Sequence, residues 1–319
     1  MSCPLALVIA TIDLERSAGC RFSWAGAAQD PIAMYTVASG VPDADNRWMP
    51  LQVSARSGMR HLYTSTALLG VIPAYALGVQ KALEEGAEII ACLHDDLRCD
   101  GTEPPWDQAV LEHFAQHPQC GLLGFGGALG LGDDDIYQVP YNPMQLARKT
   151  FGSNMRHAEA HGQRWTEKRR VSCLDGFSLI GRREFWQGFL APTPPPGIPE
   201  WDNSGPGEYL GQPRVYPNLF QRMAAAGLVH HCYDSLLGCY AVRLGGWEVW
   251  FLPIPVHHLG GQTAVADSRY LDWAIESAPS CLDQKGDVAR GDAAHWLRSH
   301  RWGYEHFRDV LPLRLPEGS

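Results

Sequence analysis

Apolar and polar positions along this chain fall into blocks with two different periods. Leu5–Ile12 is a short continuous apolar run closed by Asp13, the pattern of a buried strand. Ile32–Ala38 predicts a second strand, and Ser39–Asn46, with Gly40, Pro42, Asp43 and Asp45, a loop. From Thr64 to Glu85 the period changes. Leu68, Val71, Ile72, Tyr75, Val79 and Leu83 recur mostly at steps of three and four, one helix face, and Pro73 places the helix start near itself. Gly86 stops the helix and Glu88–Leu93 follows as a strand, the order a parallel sheet requires.

Further along, Asp107–His117 reads as a surface helix and Gly121–Leu131 as a glycine-rich strand and loop. Val171–Ile180 is a strand region with Asp175-Gly176 in its middle, and Arg182–Gly188 begins a helix. Ala191–Pro213 is rich in Pro and Gly; a loop of that length reads as a mobile lid or acceptor-side wall. Leu219–Ala226 and Asp234–Leu244 have helical spacing, Gly245-Gly246 ends the second, and Trp247–Val256 is read as a strand ending in His257-His258. From Gln262 onward Trp296, His300, Trp302, Tyr304, His306 and Phe307 predict a helical extension packed on the core.

The length of 319 residues fits one large α/β domain or two modest ones, and 45% hydrophobic residues supply a sizeable core. A formal net charge of -9 argues against a general nucleic-acid-binding surface but leaves a local basic groove open. None of the nine Cys stands in a Cys-x-x-Cys pair, which reads as a reducing compartment without zinc knuckle or disulfide framework. The first residues lack a basic n-region, and no apolar run approaches the roughly 18 residues of a transmembrane segment. A soluble, cytoplasmic protein is the expectation.

Candidate chemistry concentrates at strand ends. The run Ile89–Leu93 stops abruptly at His94-Asp95-Asp96, and ligands of open α/β sheets bind at the carboxyl ends of strands. Two adjacent carboxylates repel, so a site that holds both usually supplies a cation; a solvated turn is the other reading. Thr11-Ile12-Asp13 is a second strand-end candidate. Gly124-Phe-Gly-Gly is not a dinucleotide fingerprint, because Gly132-Asp133-Asp134-Asp135 follows instead of a helix. Its glycines fit a close approach to a sugar, or a plain bulge. Arg148, Lys149, Arg156, Arg164, Lys168, Arg169 and Arg170 form either a solvated excursion or a cationic rim for a phosphate-bearing substrate or nucleic acid. His157 and His161 stand at a metal-competent i, i+4 spacing but lack a third ligand, which favours a surface helix. The adjacent pair His230-His231 carries no clear signal.

Taken in order, the first apolar strand, His94-Asp95-Asp96, Leu174-Asp175-Gly176-Phe177, Tyr233-Asp234 and Pro253-Ile-Pro-Val-His-His-Leu-Gly-Gly resemble the nucleotide-sugar glycosyltransferases of the GT-A fold, family 2 in particular. The resemblance implies an α/β, Rossmann-like, mostly parallel sheet flanked by helices over residues 1–261, with 191–213 as the mobile loop and 262–319 as the helical extension. It implies Asp96 and His258, with His94, as ligands of a divalent metal (Mn2+ or Mg2+) on the donor diphosphate. It further implies Asp95, Ala10, Thr11, Asp175 and Gly176 around nucleotide and donor sugar, and Asp234 as catalytic base of an inverting transfer. The partners implied are a nucleotide-sugar donor and an acceptor glycan, lipid-linked sugar, protein or hydroxymethylated DNA base. No acidic residue stands at the end of the second strand to hold the nucleobase. Two other classes share such a layout. A sugar nucleotidyltransferase would carry a basic glycine-rich loop where Ala10–Gly19 has one Arg and one Gly. A non-catalytic nucleotide- or carbohydrate-binding protein would lack the metal Asp or the base.

Overall fold

In the computed structural model the described residues are 4–51, 60–128, 130–131, 151–171, 173–190, 208–209, 212–213, 234, 237, 238, 241, 246–259 and 313–314. The chain runs β1 (Leu5–Thr11), α1 (Leu14–Gly26), β2 (Ala33–Ser39), β3 (Trp48–Leu51), β4 (Arg60–Ser65), α2 (Val71–Glu84), β5 (Ile89–His94), β6 (Leu97–Cys99) and α3 (Trp106–Gln116). Then come β7 (Cys120–Gly124), β8 (Gly126–Ala128), β9 (Gly130–Leu131), β10 (Phe151–Ser153), α4 (Ala158–His161), β11 (Gln163–Arg164), β12 (Arg169–Arg170), β13 (Cys173–Leu174), β14 (Ser178–Arg182) and α5 (Arg183–Leu190). Beyond these lie β15 (Glu208–Tyr209), β16 (Gln212–Pro213), β17 (Glu248–Phe251), β18 (Val256–His258) and β19 (Leu313–Arg314).

Nine strands form the central sheet in the order β12-β17-β7-β14-β5-β1-β2-β4-β3. β17, β7, β5, β1, β2 and β4 point one way and β12, β14 and β3 the other, so the sheet is mixed but mostly parallel, as expected. β1 and β5 are central and face protein on both sides, which is why they read as unbroken apolar runs rather than alternating ones. On one face α1 and α3 bury Trp24, Trp106, Val110 and Phe114 against Leu7, Ile9 and Leu93. On the other α2 and α5 bury Ile72, Tyr75, Phe185 and Trp186 against Val8, Tyr35 and Cys92. Gly78 lets α2 approach β1 so closely that a Cβ there would overlap Val8.

Several boundaries differ from the sequence reading. Thr64 lies at the end of β4, inside the sheet, rather than starting a helix, and α2 begins at Val71, near Pro73 as its fixed φ favours. α1, β3 and β4 had no counterpart in the pattern, because their burial is partial and no clean period emerges. Trp247–Val256 is not one strand. Pro253 and Pro255 interrupt it, and Val256–His258 pairs with β6 in a separate two-stranded sheet. Val171–Ile180 likewise divides into β13 and β14, which belong to different sheets on either side of the Asp175–Phe177 turn.

The polar stretch up to Arg170 contains short strands. In it Arg156 pairs with Asp100, Arg164 with Glu159 and Arg170 with Glu248, while Arg169 lies over the Trp165 ring. His157 precedes α4 in a left-handed conformation and so stands outside that short helix. The glycines of the 121–131 stretch make room for protein: a Cβ at Gly121 would meet Trp247, at Gly124 Leu174 and the Ser178 carbonyl, at Gly126 Phe177.

Of the 191–213 loop only β15 and β16 are described, as an antiparallel pair. Gly132–Asp135, the basic positions 148 and 149, the helix at 219–226 and the His230-His231 pair lie outside the described residues, as does the C-terminal extension apart from Leu313–Arg314, which pairs as a strand with β9.

Candidate metal centre

The carboxyl ends of β1 and β5 lie side by side, with Ala10 opposite His94 in register. The chain leaving β5 turns at Asp95-Asp96 into β6, and β18 pairs antiparallel with β6, His258 opposite Leu97. Leu259 N–H donates to the Asp96 carbonyl at 3.1 Å. A strand from near residue 258 is thereby clipped onto the turn that carries the two carboxylates. Adjacent strand residues face opposite ways, and it is His258 rather than His257 that joins them.

His258 Nε2 lies 3.3 Å and His94 Nδ1 4.0 Å from Asp96 Oδ1. One ligand atom from each of the three residues lies within 4.8 Å of the others. Asp96 Oδ1 is buried and the contact to His258 misses hydrogen-bond geometry, leaving the oxygen without a hydrogen-bond partner. Such an atom normally costs about 1–3 kcal/mol or more for a charged group. One hard oxygen and two imidazole nitrogens converging on a point form a donor set that suits a first-row divalent cation, so these residues fit one. Burial alone would raise the Asp96 pKa, but the approach of His258 and the charges of His258, His94 and Arg16 outweigh it and hold the group well below the usual carboxylate range. Burial works in the opposite sense on His258, yet Asp96, Asp175 and Asp95 raise it above the ordinary histidine value.

Asp95, buried like its neighbour, serves a different purpose. Its Oδ2 accepts from Thr11 Oγ1 at 2.5 Å and from Arg16 Nη2 at 2.8 Å. Burial pushes the Asp95 pKa up against the pull of Arg16 and Thr11, while for Arg16 the bond to Asp95 overcomes burial and raises it. The pair is ionic, because a guanidinium does not deprotonate and a neutral Asp95 would strand it uncompensated in a buried place. The solvated-turn reading of 94–96 is therefore excluded. The two carboxylates have separate partners, one facing the imidazoles and one tied to β1 and α1. Asp13 caps α1, its side chain accepting from Arg16 N–H.

Sequence reasoning missed the residue that holds this turn. Arg98 donates to the carbonyls of Asp95 (2.7 Å), Leu97 (3.1 Å) and Arg16 (3.1 Å). It reaches them by lying against Gly19, where a Cβ would stand 2.9 Å from Arg98 Nη2. A glycine inside a helix was the available signal.

On the other side of His258 stands the Asp175–Phe177 turn. The Phe177 and His258 rings are 5.1 Å apart. Asp175 Oδ1 accepts from Phe177 N–H at 3.2 Å. Asp234, in helical conformation and half-buried, accepts from Gly176 N–H through Oδ2 at 3.1 Å. Leu237 and Ala241, three and seven residues on, are buried in the core, which seats this segment on its apolar side. Asp96, His258, Phe177, Asp175, Gly176 and Asp234 thus form one chain of contacts, although they come from four separate stretches of the sequence.

No family model matches the chain, and no curated protein does. Solved structures are similar at low identity. A crystal structure of GalNAc-T7 with UDP, GalNAc and Mn2+ superimposes at a TM-score of 0.45 and 14% identity over 96% of this chain and 56% of that one. This chain therefore spans little more than half of that relative's length. Residues 1–349 of S. aureus TarS superimpose at 0.39 and 9% identity, over 97% of this chain and 75% of that one. A197 from STIV gives 0.32 and 11%, over 59% and 72%. These likenesses are distant, and the chemistry below rests on this chain's own side chains.

Proposed function

We propose that this protein is a metal-dependent, inverting glycosyltransferase that moves a sugar from a nucleotide-sugar donor to an acceptor hydroxyl. The reading is carried by the buried, hydrogen-bond-orphaned Asp96 Oδ1 facing His258 and His94 at the carboxyl ends of parallel strands. These three residues would hold Mn2+ or Mg2+, which when bound supplies charge stabilisation for the departing diphosphate. Ala10 and Thr11, at the end of β1, border the nucleotide; Thr11 and Arg16 fix Asp95 beside them. Asp175 and Gly176 line the donor sugar.

Asp234 acts as the base. Its carboxylate is aimed by the Gly176 N–H and takes the acceptor proton as the acceptor oxygen attacks the anomeric carbon opposite the leaving diphosphate. A positioned base of this kind contributes about 10²–10⁴-fold. Residues 1–261 form the catalytic domain, with 191–213 as an acceptor-side loop and 262–319 as an extension. The basic residues Arg156, Arg164 and Arg170 are engaged by carboxylates. That favours a glycan, lipid-linked sugar or protein acceptor over a modified DNA base. A cytoplasmic setting fits the free buried thiols of Cys20, Cys92 and Cys120, and no described helix is long and apolar enough to cross a membrane.

The test is calorimetric titration with a panel of nucleotide sugars, with manganese and with chelator. Manganese-dependent binding that disappears in Asp96→Ala supports the reading. Binding that ignores both the metal and the substitution refutes it.

A further inference from the structure

Among the described residues most arginines meet a carboxylate or a backbone carbonyl, even where, as in Arg16 and Arg170, the buried Nε has no hydrogen-bond partner of its own. Arg16 meets Asp95, Arg98 and Arg182 meet backbone carbonyls, and Arg156, Arg164 and Arg170 meet carboxylates. Arg21 and Arg60 are different. Arg21 comes from the middle of α1 and reaches across to β2, where Nη1 donates to Thr36 Oγ1 at 2.8 Å and to Ser17 Oγ at 3.3 Å. Arg60 opens β4, opposite Met34 in the register of β2 and β4, so it stands on the same sheet face as Met34 and Thr36. Its guanidinium lies over the Phe22 ring, 5.8 Å from the centroid, and its buried Nε has no hydrogen-bond partner. Among the described residues no carboxylate pairs with either guanidinium.

Two half-buried cations on one face of the sheet repel, and the charge of Arg60 adds to burial in lowering the Arg21 pKa. Thr36 is 1% exposed, and among the described residues its hydroxyl accepts from Arg21 without donating to anything. A buried hydroxyl with an unassigned proton, an orphaned Nε and two unneutralised guanidiniums share one chemical complement: a multiply charged oxyanion. Phe22, whose ring Arg60 covers, is itself 67% exposed.

We propose that Arg21, Arg60 and Thr36 form an oxyanion site for a phosphate group between α1 and strands β2 and β4, separate from the carboxylate–imidazole cluster. The planar forks of the arginines match phosphate oxygens in pairs, and the Thr36 hydroxyl donates a further bond. The ligand class is a small phosphate or diphosphate. It requires no metal, because the charge it meets is already positive. The site does not depend on the sugar-transfer reading.

The experiment titrates the full chain with inorganic phosphate and with pyrophosphate in the presence of a chelator, at constant ionic strength set with chloride. The chelator silences any diphosphate held through Asp96. Saturable binding of phosphate or pyrophosphate is expected, weakened at least tenfold in Arg21→Gln and in Arg60→Gln, with manganese-dependent nucleotide binding unchanged. Should either glutamine variant fail to fold, Arg21→Lys and Arg60→Lys keep the charge and remove the fork, and are expected to weaken binding at least threefold. A wild-type chain that binds neither probe, a response that chloride reproduces, or binding that survives all the substitutions overturns the proposal.

Discussion

His113 offers a quantitative test of how the α3 face of the sheet is packed. Its ring is 2% exposed, and neither ring nitrogen has a hydrogen-bond partner. It stacks on His117 with centroids 4.3 Å apart and meets the edge of Trp250 at 5.1 Å. Burial, with the charges of His117 and Lys168 adding to it, lowers its pKa from 6.5 to about 4. The unfolded chain therefore binds this proton over a pH window in which the folded protein refuses it. Stability must fall as pH drops from about 6.5 to about 4, and is whole above that window. A shift of about 2.5 units at 1.36 kcal/mol each gives about 3 kcal/mol. The assay is urea unfolding at a series of pH values between 4 and 7.5 for the wild type and for His113→Phe, which keeps a flat ring and removes the proton site. Other groups titrate in both proteins, so the informative quantity is the difference between the two curves. The wild type should lose about 2–3 kcal/mol relative to the variant on acidification. Parallel curves would refute the buried, neutral His113 and the packing around it.

Three further outcomes are expected. Asp234→Asn should reduce sugar transfer by about 10²-fold or more while leaving donor binding within a few-fold of wild type; turnover by single-turnover kinetics and binding by calorimetry separate the two. Arg98→Ala removes bonds to three carbonyls around the 95–97 turn, and should cost about 2–4 kcal/mol in denaturant unfolding and weaken manganese binding, whereas an unchanged manganese affinity would mean that the turn holds its shape unaided. Gly78→Ala gains up to about 1 kcal/mol of helix propensity but forces α2 away from Val8, and overpacking of about 1–3 kcal/mol should win; a raised melting temperature would contradict the close α2–β1 contact.

The central strands were legible because both faces of β1 and β5 are covered, so every position from Leu5 to Ile9 and from Ile89 to Leu93 had to be apolar. The end of β5 was legible for the complementary reason: charge follows the apolar run without a transition. That Asp96 and His258 would meet was readable only through resemblance, since nothing local links residues 162 positions apart. The edge strand β3 and its neighbour β4 were not legible. Their half-buried positions produce no alternation, and Thr64 and Leu68 fell by chance into the period of the following helix. The proline pair Pro253 and Pro255 was in plain view and should have divided the last strand. The division of labour between Asp95 and Asp96 could not be read from two identical side chains; the positions of Thr11, Arg16 and His258 decide it.

The short pairing of β18 with β6 has a consequence for how this protein comes into being. The turn bearing Asp96 is made when about a third of the chain has been synthesised, but the imidazole that faces it arrives on a strand some 160 residues later. A nascent or truncated chain ending before Val256 therefore has the carboxylate pair without His258, and β6 without the strand that pairs with it. On the function proposed above, cation capture is then a late event, open only to molecules whose distant segments have already met.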